Sequence, residues 1–136
     1  MFSRAALAIL LGMSLLCAGC NKSNQTPEDA VRARWNQFMY STLANDQDAA
    51  VEIIDPAVIT RLGADQVWRR QKSFGNLLRA GRITKADLRI DSVTLGADGN
   101  TAVVKHSMRT KDGKWLEQVP YGSWVKVDKT WYMTPQ

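Results

Sequence analysis

The amino-acid sequence predicts a single α+β domain in which helices come first and an antiparallel sheet follows. Between residues 26 and 80, apolar side chains recur at helical spacing. From Leu88 onward, they follow strand-like patterns that short turn sequences interrupt. The chain has 136 residues, 45% of them hydrophobic, which is enough for one domain with a substantial core. Helices and strands that are segregated in this way are typical of α+β proteins.

The first two helices are predicted from capping residues and breaks. Thr26 can cap the first helix, Pro27 suits its first position, and apolar residues on one face extend it to about Ala44. Asn45-Asp46 then ends that helix and can cap a second, short one, which must stop before Pro56. We expect a brief turn between this proline and the third helix.

The predicted third helix runs from Asp65 to a glycine cap at Gly81 and belongs to a strongly basic stretch. Residues 61–89 hold eight lysines and arginines against two aspartates, so this stretch is more positive than the whole chain, whose net charge is +5. A basic contact surface is one hypothesis, and an ordinary solvated helix face is the alternative. The proposed surface comprises Arg69, Arg70, Lys72, Arg79 and Arg82.

Four strands are predicted after the third helix. The turn sequences "GADGN" and "KDGK" and the pair Asp128-Lys129 separate them. Pro120 and Gly122 fall inside the third strand, which predicts a bulge or an edge position there. The predicted strands cover residues 88–95, 101–110, 115–127 and 130–134.

The first 20 residues have the pattern of an export signal. Arg4 and the terminal amine are positive, and residues 5–17 carry no charge. A membrane-spanning helix needs about 17–25 apolar residues, so this run is too short to span and fits the apolar region of a signal peptide. A buried N-terminal helix is the alternative, but such a helix should carry a polar face and this run has none.

The end of this leader, Ala18-Gly19-Cys20, resembles the lipobox of bacterial lipoproteins. In that family the signal is cut just before the cysteine, here between Gly19 and Cys20, and the cysteine sulfur receives a diacylglycerol. The chain departs from the family pattern at Cys17, where leucine is favoured. The resemblance implies that Cys17 leaves with the leader and Cys20 is lipidated, so the mature chain has neither a disulfide nor a cysteine metal site.

The lipobox resemblance divides the chain into a removed leader, 1–19, a lipidated cysteine and polar tether, 20–26, and a domain, 27–136. Two or three acyl chains would anchor the protein firmly, because one chain alone gives only marginal membrane binding. Asn21 occupies the position where an aspartate tends to retain lipoproteins in the inner membrane. The resemblance therefore favours the periplasmic face of the outer membrane.

The domain itself resembles small NTF2-like (cystatin-like) bacterial lipoproteins. "TPEDAVRARWNQFMYSTLANDQDAAVEII" is similar to their opening long helix, asparagine–aspartate turn and short helix. Residues 97–103 are similar to their mid-sheet hairpin, and "WVKVDKTWYM" to their final one, except that Thr130 stands where the family normally has glycine. The resemblance covers about residues 26–134. It implies a cone in which N-terminal helices pack on a curved four-stranded antiparallel sheet.

Because the NTF2-like family includes enzymes and ligand binders, its inward-facing polar residues are candidate pocket residues. His106 falls on an apolar strand face, where it is either a base or a packed, hydrogen-bonded core histidine. By alternation Asp91 points inward, but it has no second acid to pair with. Tyr40, Tyr121 and Trp124 either line a pocket or fill a small core.

The sequence contains no metal-ligand spacing, glycine-rich phosphate loop or serine-nucleophile motif. We therefore expect a non-enzymatic binding or assembly module of the bacterial envelope, without a cofactor. Its expected partners are the membrane, through the lipid anchor, and an acidic envelope protein or anionic surface; nucleic acid is not expected outside the cytoplasm. Two alternatives remain open: a carrier of apolar ligands with the cone as pocket, and an isomerase- or dehydratase-type enzyme that uses His106 or Asp91.

Overall fold

The computed structural model describes residues 24–136, so the predicted leader, its cleavage point and Cys20 lie outside the described residues. Within 24–136 the helices precede the sheet, and the α+β fold class is confirmed. A 3-10 helix, Lys85–Asp87, joins the two parts. The helices are α1 (Pro27–Leu43), α2 (Gln47–Val51), α3 (Pro56–Leu62) and α4 (Ala64–Ala80). The strands are β1 (Leu88–Leu95), β2 (Thr101–Arg109), β3 (Trp115–Gln118), β4 (Gly122–Val127) and β5 (Thr130–Pro135).

Side-chain caps begin the first three helices. The Thr26 hydroxyl and the Asp46 and Asp55 carboxylates each accept a hydrogen bond from a backbone N–H two or three residues later, at 2.9 to 3.1 Å. The Asp55 cap starts α3, a seven-residue helix where the sequence pattern predicts only a turn. No helix within residues 24–136 is both long enough and apolar enough to cross a membrane.

The five strands form one curved antiparallel sheet in the order β1-β2-β4-β5, with β3 also paired to β2. The structure corrects the predicted count of four, because residues 119–121 divide the long third strand into β3 and β4. Pro120 lies in that break. Gly122 starts β4, where any side chain would overlap the backbone oxygen of Thr134 on β5. The two residues that predicted a bulge therefore mark an interruption.

The core fills the space between α1 and the inner face of the sheet. Trp35 and Phe38 of α1 are at most 5% exposed and belong to one cluster with Trp124 and Met133 of the sheet. Helix α4 covers α1 at close range through Gly75, because a Cβ at that position would lie 2.8 Å from a backbone oxygen of α1. The interior of the cone is thus occupied by large side chains.

Candidate functional site

His106 lies on the inner face of β2 and is packed into the core. Its ring centroid lies 5.2 Å from that of Trp35, and 5% of the residue is exposed. Its Nδ1 is buried and has no hydrogen-bond partner within residues 24–136, so no described residue orients the ring through this nitrogen. Burial lowers the pKa of His106, although the charge of Asp91 opposes this effect, and the ring is therefore neutral at pH 7.

The lowered pKa of His106 predicts a pH dependence of stability. Its ordinary value is 6.5, so the unfolded chain takes up this proton more readily than the folded protein as pH falls below 6.5. The free energy of unfolding should consequently decrease on acidification in that window, and His106→Gln should remove this part of the slope. Urea unfolding at about pH 7.5 and about pH 5.5 measures this pH dependence. Both pH values lie well above the range in which aspartates ordinarily titrate. An equal dependence of the free energy of unfolding on pH in the parent protein and in His106→Gln would contradict the lowered pKa.

Asp91 does not face the interior, in contrast to the simple alternation of its strand. β1 shifts register between Ile90 and Ser92, so Asp91 falls at a bulge where alternation is lost. Its exposed carboxylate accepts hydrogen bonds from the Ser107 hydroxyl and from Arg89 Nε, the latter at 2.8 Å. The bond from Ser107 and the Arg89 guanidinium hold the pKa of Asp91 below its usual range. This carboxylate is an ion-pair member on the outer face of the sheet.

The neighbourhood of Asp91, His106 and Ser107 contains the residue types of a catalytic triad but not its arrangement. His106 and Ser107 are consecutive in β2, so their side chains point to opposite faces of the sheet. The Ser107 hydroxyl donates to Asp91. A serine nucleophile would instead need its hydroxyl bonded to the imidazole that accepts its proton.

The two predicted pocket tyrosines have separate surroundings. Tyr121 is half-buried against Phe38 and Phe74, with ring centroids 5.9 and 5.6 Å apart, and burial raises the pKa of Tyr121. Tyr40 lies under the Lys85 ammonium, which is 4.3 Å from its ring centroid. The predicted pocket residues therefore do not share one site. His106 lies in the core, Tyr121 is half-buried beside the core, Tyr40 packs under Lys85, and Asp91 lies on the outer face of the sheet.

Three of the predicted basic residues lie together on the solvent side of α4. Arg69, Arg70 and Lys72 are exposed, and none of them forms a salt bridge with another residue of 24–136. We call these three residues the α4 basic face. Asp65 lies one helical turn before Arg69, but the three cations outnumber this single acid, so the surface remains positive and attracts anionic groups.

The other two predicted basic residues have different roles. Arg79 turns towards α1, where its Nη1 donates to the backbone oxygens of Thr42 at 2.8 Å and Leu43 at 3.2 Å. It is therefore a structural contact between two helices and not part of a free surface. Arg82 follows α4 with a left-handed backbone (φ 56°) and lines a cleft that no sequence motif indicates.

This cleft, which we call the hairpin cleft, has a volume of about 680 Å³. It lies between residues 81–83 and the β2–β3 hairpin. Its lining includes three apolar side chains, two positive ones and one amide, which are Ile83, Met108, Leu116, Arg82, Lys111 and Gln118. In the sequence these residues fall in separate segments, and only the apolar Leu116 beside a lysine-rich turn could have indicated an unusual surface.

One wall of the hairpin cleft carries a salt bridge. Arg109 donates through Nε and Nη2 to one oxygen of Asp87, at 3.0 and 2.9 Å. A hydrogen bond from the Thr84 backbone and those from Arg109 hold the pKa of Asp87 below its usual range. Arg82 and Lys111 have no salt bridge within residues 24–136, so the cleft as a whole favours anionic groups. Residues 24–136 contain no group of three or more histidines, cysteines and acids placed to share a metal ion.

Solved structures resemble this arrangement of helices on a sheet. A candidate NTF2-like transpeptidase from Campylobacter jejuni matches over 78% of this chain and 98% of that chain, with a TM-score of 0.61 and 11% sequence identity. The fold is NTF2-like. At 11% identity the likeness shows the fold of this NTF2-like domain and nothing about its activity.

Other comparisons add little to this NTF2-like assignment. A candidate calcium/calmodulin-dependent protein kinase II association domain from Xanthomonas campestris matches over 79% of this chain and 86% of that chain, at 15% identity. Its TM-score is 0.45, so this weaker likeness adds nothing to the fold assignment. No protein-family model matches the chain, and no curated protein matches it in sequence.

Proposed function

We propose that this NTF2-like domain is a lipid-anchored binding module of the bacterial envelope, facing the periplasm, that docks an acidic partner without chemistry of its own. The α4 basic face carries this proposal. Arg69, Arg70 and Lys72 are exposed and lack acidic partners within the described chain. The positive electrostatic field of such a surface speeds the approach of an acidic protein. Its charges contribute most to the affinity when the bound partner covers them.

The alternatives have less support in the described residues. A carrier of apolar ligands needs space in the cone, but Trp35, Phe38 and Trp124 already pack there. An isomerase- or dehydratase-type enzyme needs a substrate beside His106 or Asp91, and these residues lie on opposite faces of the sheet. Docking through the helix surface requires neither a cavity nor a reacting group.

Charge reversal on α4 tests the proposal. The double variant Arg69→Glu/Arg70→Glu should abolish crosslinking of the protein to an envelope partner, measured by quantitative mass spectrometry on detergent-solubilised envelopes. Lys114→Glu/Lys129→Glu is the matched control, since it changes the charge equally at two exposed turn residues. Arg79 is left unchanged because it holds α1. Equal crosslinking by all three proteins would contradict docking through α4.

The anchor has its own test. Cys20→Ser should abolish incorporation of a labelled fatty acid and leave the precursor uncleaved, because the sulfur that accepts the lipid is gone. Metabolic labelling followed by gel electrophoresis measures both effects. Cys17→Ser is the matched control and should be labelled normally. Labelling that persists without the Cys20 thiol would overturn the lipid anchor but leave the α4 docking surface untouched.

A further inference from the structure

Strand β3 has one open edge. It pairs with β2 through four residues, from Trp115 opposite Arg109 to Gln118 opposite His106. No other strand of residues 24–136 pairs with it, and β5 reaches only as far as Gly122, opposite Pro135. An open strand edge presents unpaired backbone groups to any chain that approaches it.

The alternation of hydrogen-bonded pairs between β2 and β3 shows which backbone N–H and C=O groups of β3 are free. The amide of Thr110 donates to the backbone oxygen of Lys114 at 2.8 Å, so this pair is hydrogen-bonded towards β2. In an antiparallel ladder, bonded and non-bonded pairs alternate. Leu116 and Gln118 therefore use their backbone groups towards β2. The N–H and C=O groups of Trp115 and Glu117 point to the open edge.

The surroundings of this edge include exposed apolar side chains and, on the side of the cleft, two positive ones. Leu116 is 52% exposed and Val119, which follows the strand, is 86% exposed. Leu116 also lines the hairpin cleft together with Arg82 and Lys111, and neither of these two cleft cations forms a salt bridge with another residue of 24–136. A strand added beside β3 would hence place every second side chain at the cleft.

We infer that β3 and the hairpin cleft together bind an extended acidic peptide segment as an additional strand of the sheet. Backbone bonds to Trp115 and Glu117 hold the segment, and its acidic side chains meet Arg82 and Lys111. A second copy of β3 fits less well, because it would bring its own Lys111 and Lys114 to the same edge. This site is separate from the α4 basic face and does not depend on the function proposed for it.

A proline substitution tests the added strand. Proline is tolerated at a strand edge whose N–H faces outward, but it removes a donor that the peptide needs. Glu117→Pro in the full-length chain should bind a capped seven-residue peptide of alternating glutamate and valine about tenfold or more weakly. Glu117→Gln is the matched control: it loses the same charge and keeps the N–H, so its affinity should equal or exceed that of the parent. Fluorescence anisotropy of the labelled peptide measures both.

Changes in the peptide keep the test independent of the fold of the proline variant. Methylating the peptide nitrogens that face β3 should abolish binding to the parent protein, whereas methylating those on the far side should not. Lysine in place of glutamate should abolish binding as well. Equal binding of both methylated peptides would overturn strand addition and indicate charge attraction alone. Because Arg69→Glu/Arg70→Glu should leave peptide binding unchanged, failure of this inference and failure of the α4 proposal are distinguishable.

Discussion

Replacing Trp124 by alanine is expected to lower the free energy of unfolding by about 3–5 kcal/mol. Trp124 is 2% exposed and lies across the strands from Ala102 and Met133, both also buried. Removing its indole leaves a cavity that the packed cone cannot close, so both transfer energy and packing contacts are lost. The total free energy of unfolding of a domain of this size is about 5–15 kcal/mol, so the loss is a large part of it. The melting temperature of the variant should fall by on the order of 15 °C. Urea denaturation and calorimetry measure the effect.

Trp115 provides the matched control for this change. It is half-buried on the outer face of β3, where the guanidinium carbons of Arg89 and Arg109 lie 4.4 and 5.7 Å from its ring centroid. Trp115→Ala should cost about 1 kcal/mol, since it removes surface packing and cation–π contacts but opens no internal cavity. If Trp124→Ala cost no more than Trp115→Ala, the cone would be loosely packed, and a carrier of apolar ligands would become the better hypothesis.

Replacing Arg79 by alanine is expected to destabilise the domain by about 1.5–3 kcal/mol, even though Arg79 lies in a basic stretch that looks like surface. Its guanidinium bonds the last carbonyls of α1, at Thr42 and Leu43, and so caps that helix from α4. Without it, both carbonyls lose a charged donor and the α1–α4 contact loosens. Chemical denaturation monitored by circular dichroism measures the loss.

Lys72 and a conservative exchange serve as controls for Arg79. Lys72 lies on the same helix, is exposed and forms no salt bridge within residues 24–136. Lys72→Ala should therefore change the free energy of unfolding by less than about 0.5 kcal/mol. Arg79→Lys keeps the charge but loses the planar fork that reaches two carbonyls, and should recover only part of the stability. Equal effects of Arg79→Ala and Lys72→Ala would show that the bonds to α1 contribute nothing measurable.

The helix starts were predictable because their causes are local. Thr26 and Asp46 lie within three residues of the amides that they cap. Asp55 also caps a helix locally, yet the short α3 was expected to be a turn, since seven residues are too few for a clear helical pattern. The interruption at Pro120 was only partly predictable, because it also depends on the approach of β5 to Gly122.

The candidate sites were less predictable than the fold. Arg69 and Arg79 look equivalent in the sequence, but the first is exposed while the second bonds a helix 37 residues earlier. Strand alternation predicts that Asp91 points inward, but a bulge places it on the outer face, beside Ser107. The hairpin cleft had no sequence motif at all, since its walls come from separate segments.

The amino-acid sequence was sufficient for the order of helices and strands, most helix caps, the turns and the basic stretch before β1. These features depend on side chains within a few residues of one another, so neighbouring residues carry the information. The packed structure was needed to separate free charges from bonded ones, to place Asp91 and His106 on opposite faces, and to expose the edge of β3. Those properties depend on partners that folding brings from distant positions, and a charge is available for binding only if no such partner has already taken it.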